Sequence, residues 1–178
     1  MKKVIVLIFL INSILLFAND TLKYHSAYDY VINHTGNITE FFKNSVQDST
    51  NICISLSNQI IPFDFSIFAD EIVTFEYGSA DSLTKIKIAD SIKFKSEFNL
   101  NDIECICWDR NFKFDNKCEL ILFMSRIYNN KMGAELLIRH KNFSSYGIIS
   151  DYGPVFTLFL FYFENDQVKE VYIKEAFR

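Results

Sequence analysis

Hydrophobic positions along this chain of 178 residues change their spacing from segment to segment. Val4 to Phe17 is an apolar run broken only by Asn12 and Ser13. Tyr24, Ala27, Tyr28, Val31 and Ile32 then recur at the i, i+3, i+4, i+7, i+8 spacing of one helical face, and Gly36 ends the pattern. Ile38, Phe41, Phe42, Ser45 and Val46 repeat it after Asn37, which stands three residues before Glu40 like a capping box. The spacing predicts an antiparallel pair of helices.

The middle reads less evenly. Asn51–Ser57 is rich in strand formers, Pro62 breaks what precedes it, and Phe63–Tyr77 fits neither period. Asp70–Tyr77 suits a strand or a helix end. Ile92, Phe94, Ser96 and Phe98 alternate with Lys93, Lys95 and Glu97, which predicts a half-buried strand. Towards the C-terminus Leu120–Tyr128 and Ala134–His140 read as strands joined by a turn at Asn129–Gly133. Val155–Phe163 and Val168–Ala176 read as a second such pair around Glu164–Gln167. In Val155–Phe163, Phe159, Phe161 and Phe163 share one face while Leu158, Leu160 and Tyr162 share the other, so this strand belongs inside a sheet covered on both sides. The expected class is α+β: an N-terminal helical pair packed on an antiparallel sheet that ends in a four-stranded meander.

The first apolar run has its own meaning. Lys2 and Lys3 precede it and Ala18 closes it, so a short positive region, about 14 apolar residues and a small residue describe a signal peptide over 1–18. The expected mature chain is a single globular domain, 19–178, secreted or periplasmic. Leu16, at the third position before the cleavage point, departs from the usual small residue and leaves an uncleaved N-terminal membrane anchor as the alternative. Loss of Lys2 and Lys3 takes the formal charge from −4 to −6. Scattered charges of both signs argue against nucleic acid as a partner, and no later apolar stretch has the length of a membrane span.

Cys53, Cys105, Cys107 and Cys118 all fall in the mature part, and an even number in an exported chain suggests disulfides. A hairpin pairing Ile106–Trp108 with Lys117–Leu120 sets Cys107 opposite Cys118 and leaves Cys105 for Cys53. Free buried thiols compete with that reading. A metal site lacks the paired C-x₂₋₄-C spacing, and no metal or other cofactor is expected.

Catalytic motifs are missing from the sequence: there is no G-x-S-x-G, no H-E-x-x-H and no glycine-rich phosphate loop. His25 and His34 are too far apart to share a metal face. His140 and Asp109 are the candidates for acid–base chemistry, one at a strand end and one beside the single tryptophan, Trp108. Trp108 and Arg110 are the candidates for lining a ligand pocket. Arg126 interrupts an apolar strand and is expected at a solvent-facing position. The expected role is a non-enzymatic domain that binds an unknown protein or small ligand; the alternative is a secreted or periplasmic hydrolase with a dispersed acid and histidine site.

Overall fold

Six strands form one sheet in the order β2-β1-β3-β4-β5-β6 in the computed structural model, which describes residues 20–34, 53–95, 104–105, 118–138 and 155–177. A helix over 20–33 (α1) comes first. It is followed by β1 (Ile54–Ile60), a 3-10 turn (Phe65–Phe68), α2 (Ala69–Glu76) and α3 (Ser82–Lys95). Then come β2 (Glu104–Cys105), β3 (Leu120–Met124), β4 (Lys131–Ile138), β5 (Val155–Glu164) and β6 (Gln167–Phe177). The fold is α+β, and β3 to β6 form the expected meander of antiparallel neighbours. The sheet is nonetheless mixed, because β1 runs parallel to β3.

Both C-terminal hairpins close with two residues in the left-handed region. Asn129 and Asn130 have φ of 50° and 56°, and Asn165 and Asp166 have φ of 50° and 61°. Asn and Asp tolerate this conformation better than other side chains with a Cβ, and its twist matches that of the flanking strands. The first turn is therefore shorter than Asn129–Gly133. Glu135 consequently lies opposite Phe123, with Met124 opposite Ala134. Arg126 is exposed, as expected.

The two faces of β5 carry separate cores. Phe159, Phe161 and Phe163 pack with Leu56, Leu122 and Leu136 under Tyr24, Ala27 and Val31 of α1. Leu158, Leu160 and Tyr162 pack on the other side with Phe123, Phe68 and Ile72. The helical face read at Tyr24, Ala27, Tyr28, Val31 and Ile32 is the face that covers the sheet. Its polar atoms are engaged too: Tyr24 Oη donates to the Ser125 carbonyl at 3.1 Å, and Tyr28 Oη to that of Ile54 at 2.9 Å. The second helix, expected over 37–46, lies outside the described residues.

On the opposite face the ring of Phe63 lies over Gly133 so closely that any Cβ there would collide with it. Lys174 Nζ reaches from β6 to Glu71 of α2 at 2.7 Å and to the Ile67 carbonyl at 2.7 Å.

Two expectations are corrected here. Ile92 to Lys95 belong to α3, not to a strand. Asp81 caps this helix, its carboxylate accepting from Thr84 N at 2.9 Å and from Thr84 Oγ1 at 2.6 Å. Ile88, Ala89 and Ile92 then share a face against Ala69 and Val73 of α2. A helix cap and one packed face outweigh four residues of alternation. Residues 96–98 lie outside the described residues.

The second correction concerns the cysteines. Cys53 is bonded to Cys118, with their Cα atoms 4.9 Å apart, in place of the expected Cys107–Cys118 and Cys53–Cys105 pairs. The expected hairpin fails because Leu120 already has a neighbour on each side, Ile54 of β1 and Ile138 of β4. Parallel pairing of β1 with β3 brings the residues just before each strand together. Cys105 instead lies opposite Gln59, six residues along β1 from Cys53, which is about 20 Å in an extended strand and far beyond disulfide reach. Cys107 lies outside the described residues.

Candidate functional site

Three side chains meet where the C-terminal end of α2 crosses the antiparallel pair of strands β4 and β5. The strand register sets Lys131 opposite Tyr162, both on the face that α2 covers. Glu76, the last residue of α2, takes both: Lys131 Nζ lies 2.6 Å from Glu76 Oε1, and Tyr162 Oη donates to the same oxygen at 3.0 Å. The Lys131 side chain is only 12% exposed, so Glu76 compensates a largely buried cation. Burial, and next the Glu76 carboxylate and the hydrogen bond to it, push the Tyr162 phenol far above its ordinary value. Tyr162 is accordingly a fixed hydrogen-bond donor, not a proton source near neutral pH.

A shallow cleft of about 200 Å³ opens beside this cluster. The ring of Phe75, 38% exposed, stands 4.1 Å from that of Tyr162 and gives the cleft an aromatic wall. Asn129, Asn130, Glu164 and Lys169 line the rest. Lys169 Nζ pairs with Glu164 Oε1 at 2.9 Å, both side chains well exposed. Lys23 of α1 braces the neighbouring turns, donating to Asn130 Oδ1 at 3.0 Å and lying 3.8 Å from Asp166 Oδ1. A second cleft of about 360 Å³ shares Glu76, takes in Lys131 and extends between α2 and α3 past Tyr77, Lys87 and Ile92. Glu76 thus stands between two clefts, with Tyr162 lining the first and Lys131 the second.

Of the candidates read from the sequence, Trp108, Asp109, Arg110 and His140 fall outside the described residues. His34 is exposed, stacked on Tyr30 with ring centroids 4.1 Å apart, and its Nδ1 lies 2.8 Å from the Tyr30 carbonyl. Among the described residues no group of three or more His, Cys, Asp or Glu side chains is placed to hold a metal. Among the same residues no helix is long and apolar enough to cross a membrane. The Cys53–Cys118 bond is compatible with an extracellular location.

Sequence reasoning missed Phe75, Glu76, Lys131 and Tyr162. A two-residue reading of the Asn129–Asn130 turn would have paired Lys131 with the strand before it, but the arrival of Glu76 depends on how α2 packs. Comparison with known proteins finds no matching family model, no matching curated protein and no matching solved structure.

Proposed function

We propose that this chain is an exported, non-enzymatic domain that binds a small polar ligand or a polar segment of a protein at the cleft walled by Phe75. The observation that carries this reading is the Lys131–Glu76–Tyr162 cluster. It holds a carboxylate, an ammonium and a protonated phenol in fixed positions beside an exposed aromatic ring. Fixed donors and acceptors next to an apolar wall suit recognition. A carboxylate already held by a lysine and a tyrosine is poorly placed to take a proton from substrate.

Export is supported by the leader-like segment 1–18, ending at Ala18, and by the disulfide. The domain then extends over 19–178 and works outside the cytoplasm with no cofactor.

The test combines two measurements. Ligand-observed NMR against a library of sugars, amino acids and short peptides should find binders, and Phe75→Ala should weaken them at least about tenfold. Chromogenic ester, glycoside and peptide substrates should not turn over. Turnover abolished by Asp109→Asn or His140→Gln would establish the hydrolase instead, and binders indifferent to Phe75→Ala would place recognition elsewhere.

A further inference from the structure

Among the described residues β6 is the longest strand, with 11 residues, and it has a strand neighbour on one side only. A long edge strand presents a row of backbone donors and acceptors that another strand can complete. Natural edges are commonly guarded by charges and bulges, and β6 has both. Lys169 is the bulged residue, because Tyr162 faces Glu170 while Phe163 faces Val168. Lys169, Glu170, Lys174 and Glu175 alternate around Val171, Tyr172 and Ile173.

The order of those charges does more than guard. When the strand is laid antiparallel to a copy of itself with Tyr172 opposite Tyr172, every charge meets its opposite. Lys169 falls beside Glu175 of the partner subunit, Glu170 beside Lys174 of the partner subunit, and Val171 beside Ile173 of the partner subunit. A slip of one residue in either sense opposes two lysines or two glutamates. Such a slip also turns each side chain to the wrong face. A shift of two residues leaves every charge opposite an apolar or uncharged residue. One antiparallel register is therefore favoured and its neighbours are penalised.

Surface chemistry agrees with this register. Ile173 is 42% exposed and Val171 is half-buried, so the pairing would cover each with the other, twice by symmetry. Lys169 and Glu164 form only a well-exposed pair that can exchange partners. Lys174 is held by Glu71, and a second carboxylate on its outer side would extend that pair into a chain of three charges.

We infer that the domain self-associates edge to edge, β6 pairing antiparallel with β6 of a second copy about a two-fold axis at Tyr172, to give one continuous sheet of twelve strands. The axis is perpendicular to the sheet, so both α1 helices lie on the same side. The contact uses the edge of β6 and leaves the Phe75 wall of the cleft open.

Charge exchange tests this pairing directly. Sedimentation equilibrium of the purified protein, from low micromolar to near-millimolar concentration, should show a reversible monomer–dimer transition. Lys169→Glu and Glu175→Lys each create two like-charge contacts across the axis. Each should weaken self-association at least about tenfold. An equimolar mixture of the two variants restores opposite charges at both contacts and should dimerise about as well as the original. Both side chains are exposed, so the variants should melt within a few degrees of the parent. A parent that stays monomeric throughout, variants that dimerise unchanged, or a mixture that fails to recover would each overturn the inference.

Discussion

At the scale of single residues, the consequential contact is Glu76 with Lys131 and Tyr162. Glu76→Gln removes the charge that compensates an ammonium only 12% exposed, and should cost about 1–3 kcal/mol. Tyr162→Phe loses one hydrogen bond, and should cost about 0.5–1.5 kcal/mol. The same contact gives an alkaline signature. The unfolded chain releases the Tyr162 proton near pH 10.0, whereas the folded state holds it more tightly. Stability from Tyr162 is therefore complete below pH 10.0 and is lost as the pH rises beyond it. Tyr28 and Tyr172 shift in the same direction, chiefly through burial, so the parent should lose stability above this pH by more than one route. Urea midpoints measured across the alkaline range should fall for the parent and fall less steeply for Tyr162→Phe. An equal slope for both would show that the Tyr162 proton is not linked to folding.

At the scale of elements, the parallel contact between β1 and β3 carries the disulfide and spans everything between them. The bond closes a loop of 65 residues, so losing it should cost about 2–4 kcal/mol by chain entropy. Cys53→Ser with Cys118→Ser should lower the denaturant midpoint accordingly. Cys105→Ser should leave it nearly unchanged, and the reverse ranking would mean that Cys105 takes part in the structural bond. This pairing also shows why some elements were legible in the sequence and others were not. The α1 face, the two sides of β5 and the Asn-rich turns all follow from local spacing and local backbone preference. The parallel partner of β3 lies far away in the chain, and no spacing rule connects Cys53 to Cys118, 65 residues apart. The stretch ending at Lys95 misled for a related reason. Its alternation is local, while the cap at Asp81 and the packing against Val73 decide its conformation from outside that window. The candidate cleft was hidden in the same way, since Glu76 reaches Lys131 across 55 residues.

At the scale of the molecule, the sheet needs a cover on each face, and α1 is the described cover of one of them. Beneath it lie Leu56, Leu122, Phe159 and Phe161, all essentially buried. α1 itself contributes Tyr24, Ala27 and Val31, and Ser26 Oγ accepts from Val168 N at 2.9 Å beside the β6 bulge. Burying Tyr24 and Val31 is worth roughly 1.5–3 kcal/mol each. Exposing the phenylalanines beneath would cost more again, so the total approaches the whole stability of an ordinary domain, about 5–15 kcal/mol. The two N-terminal segments should thus behave in opposite ways when removed. A chain beginning at Asn19 keeps α1 and should melt cooperatively with the midpoint of the full 178-residue chain. A chain beginning at residue 35 lacks α1 and should bind a hydrophobic dye, lose its cooperative transition and aggregate through the uncovered face of β5. A cooperative melt from the shorter chain would show that α1 is dispensable to the core. A lowered midpoint in the chain starting at Asn19 would make residues 1–18 part of the folded protein, which a cleaved export signal cannot be.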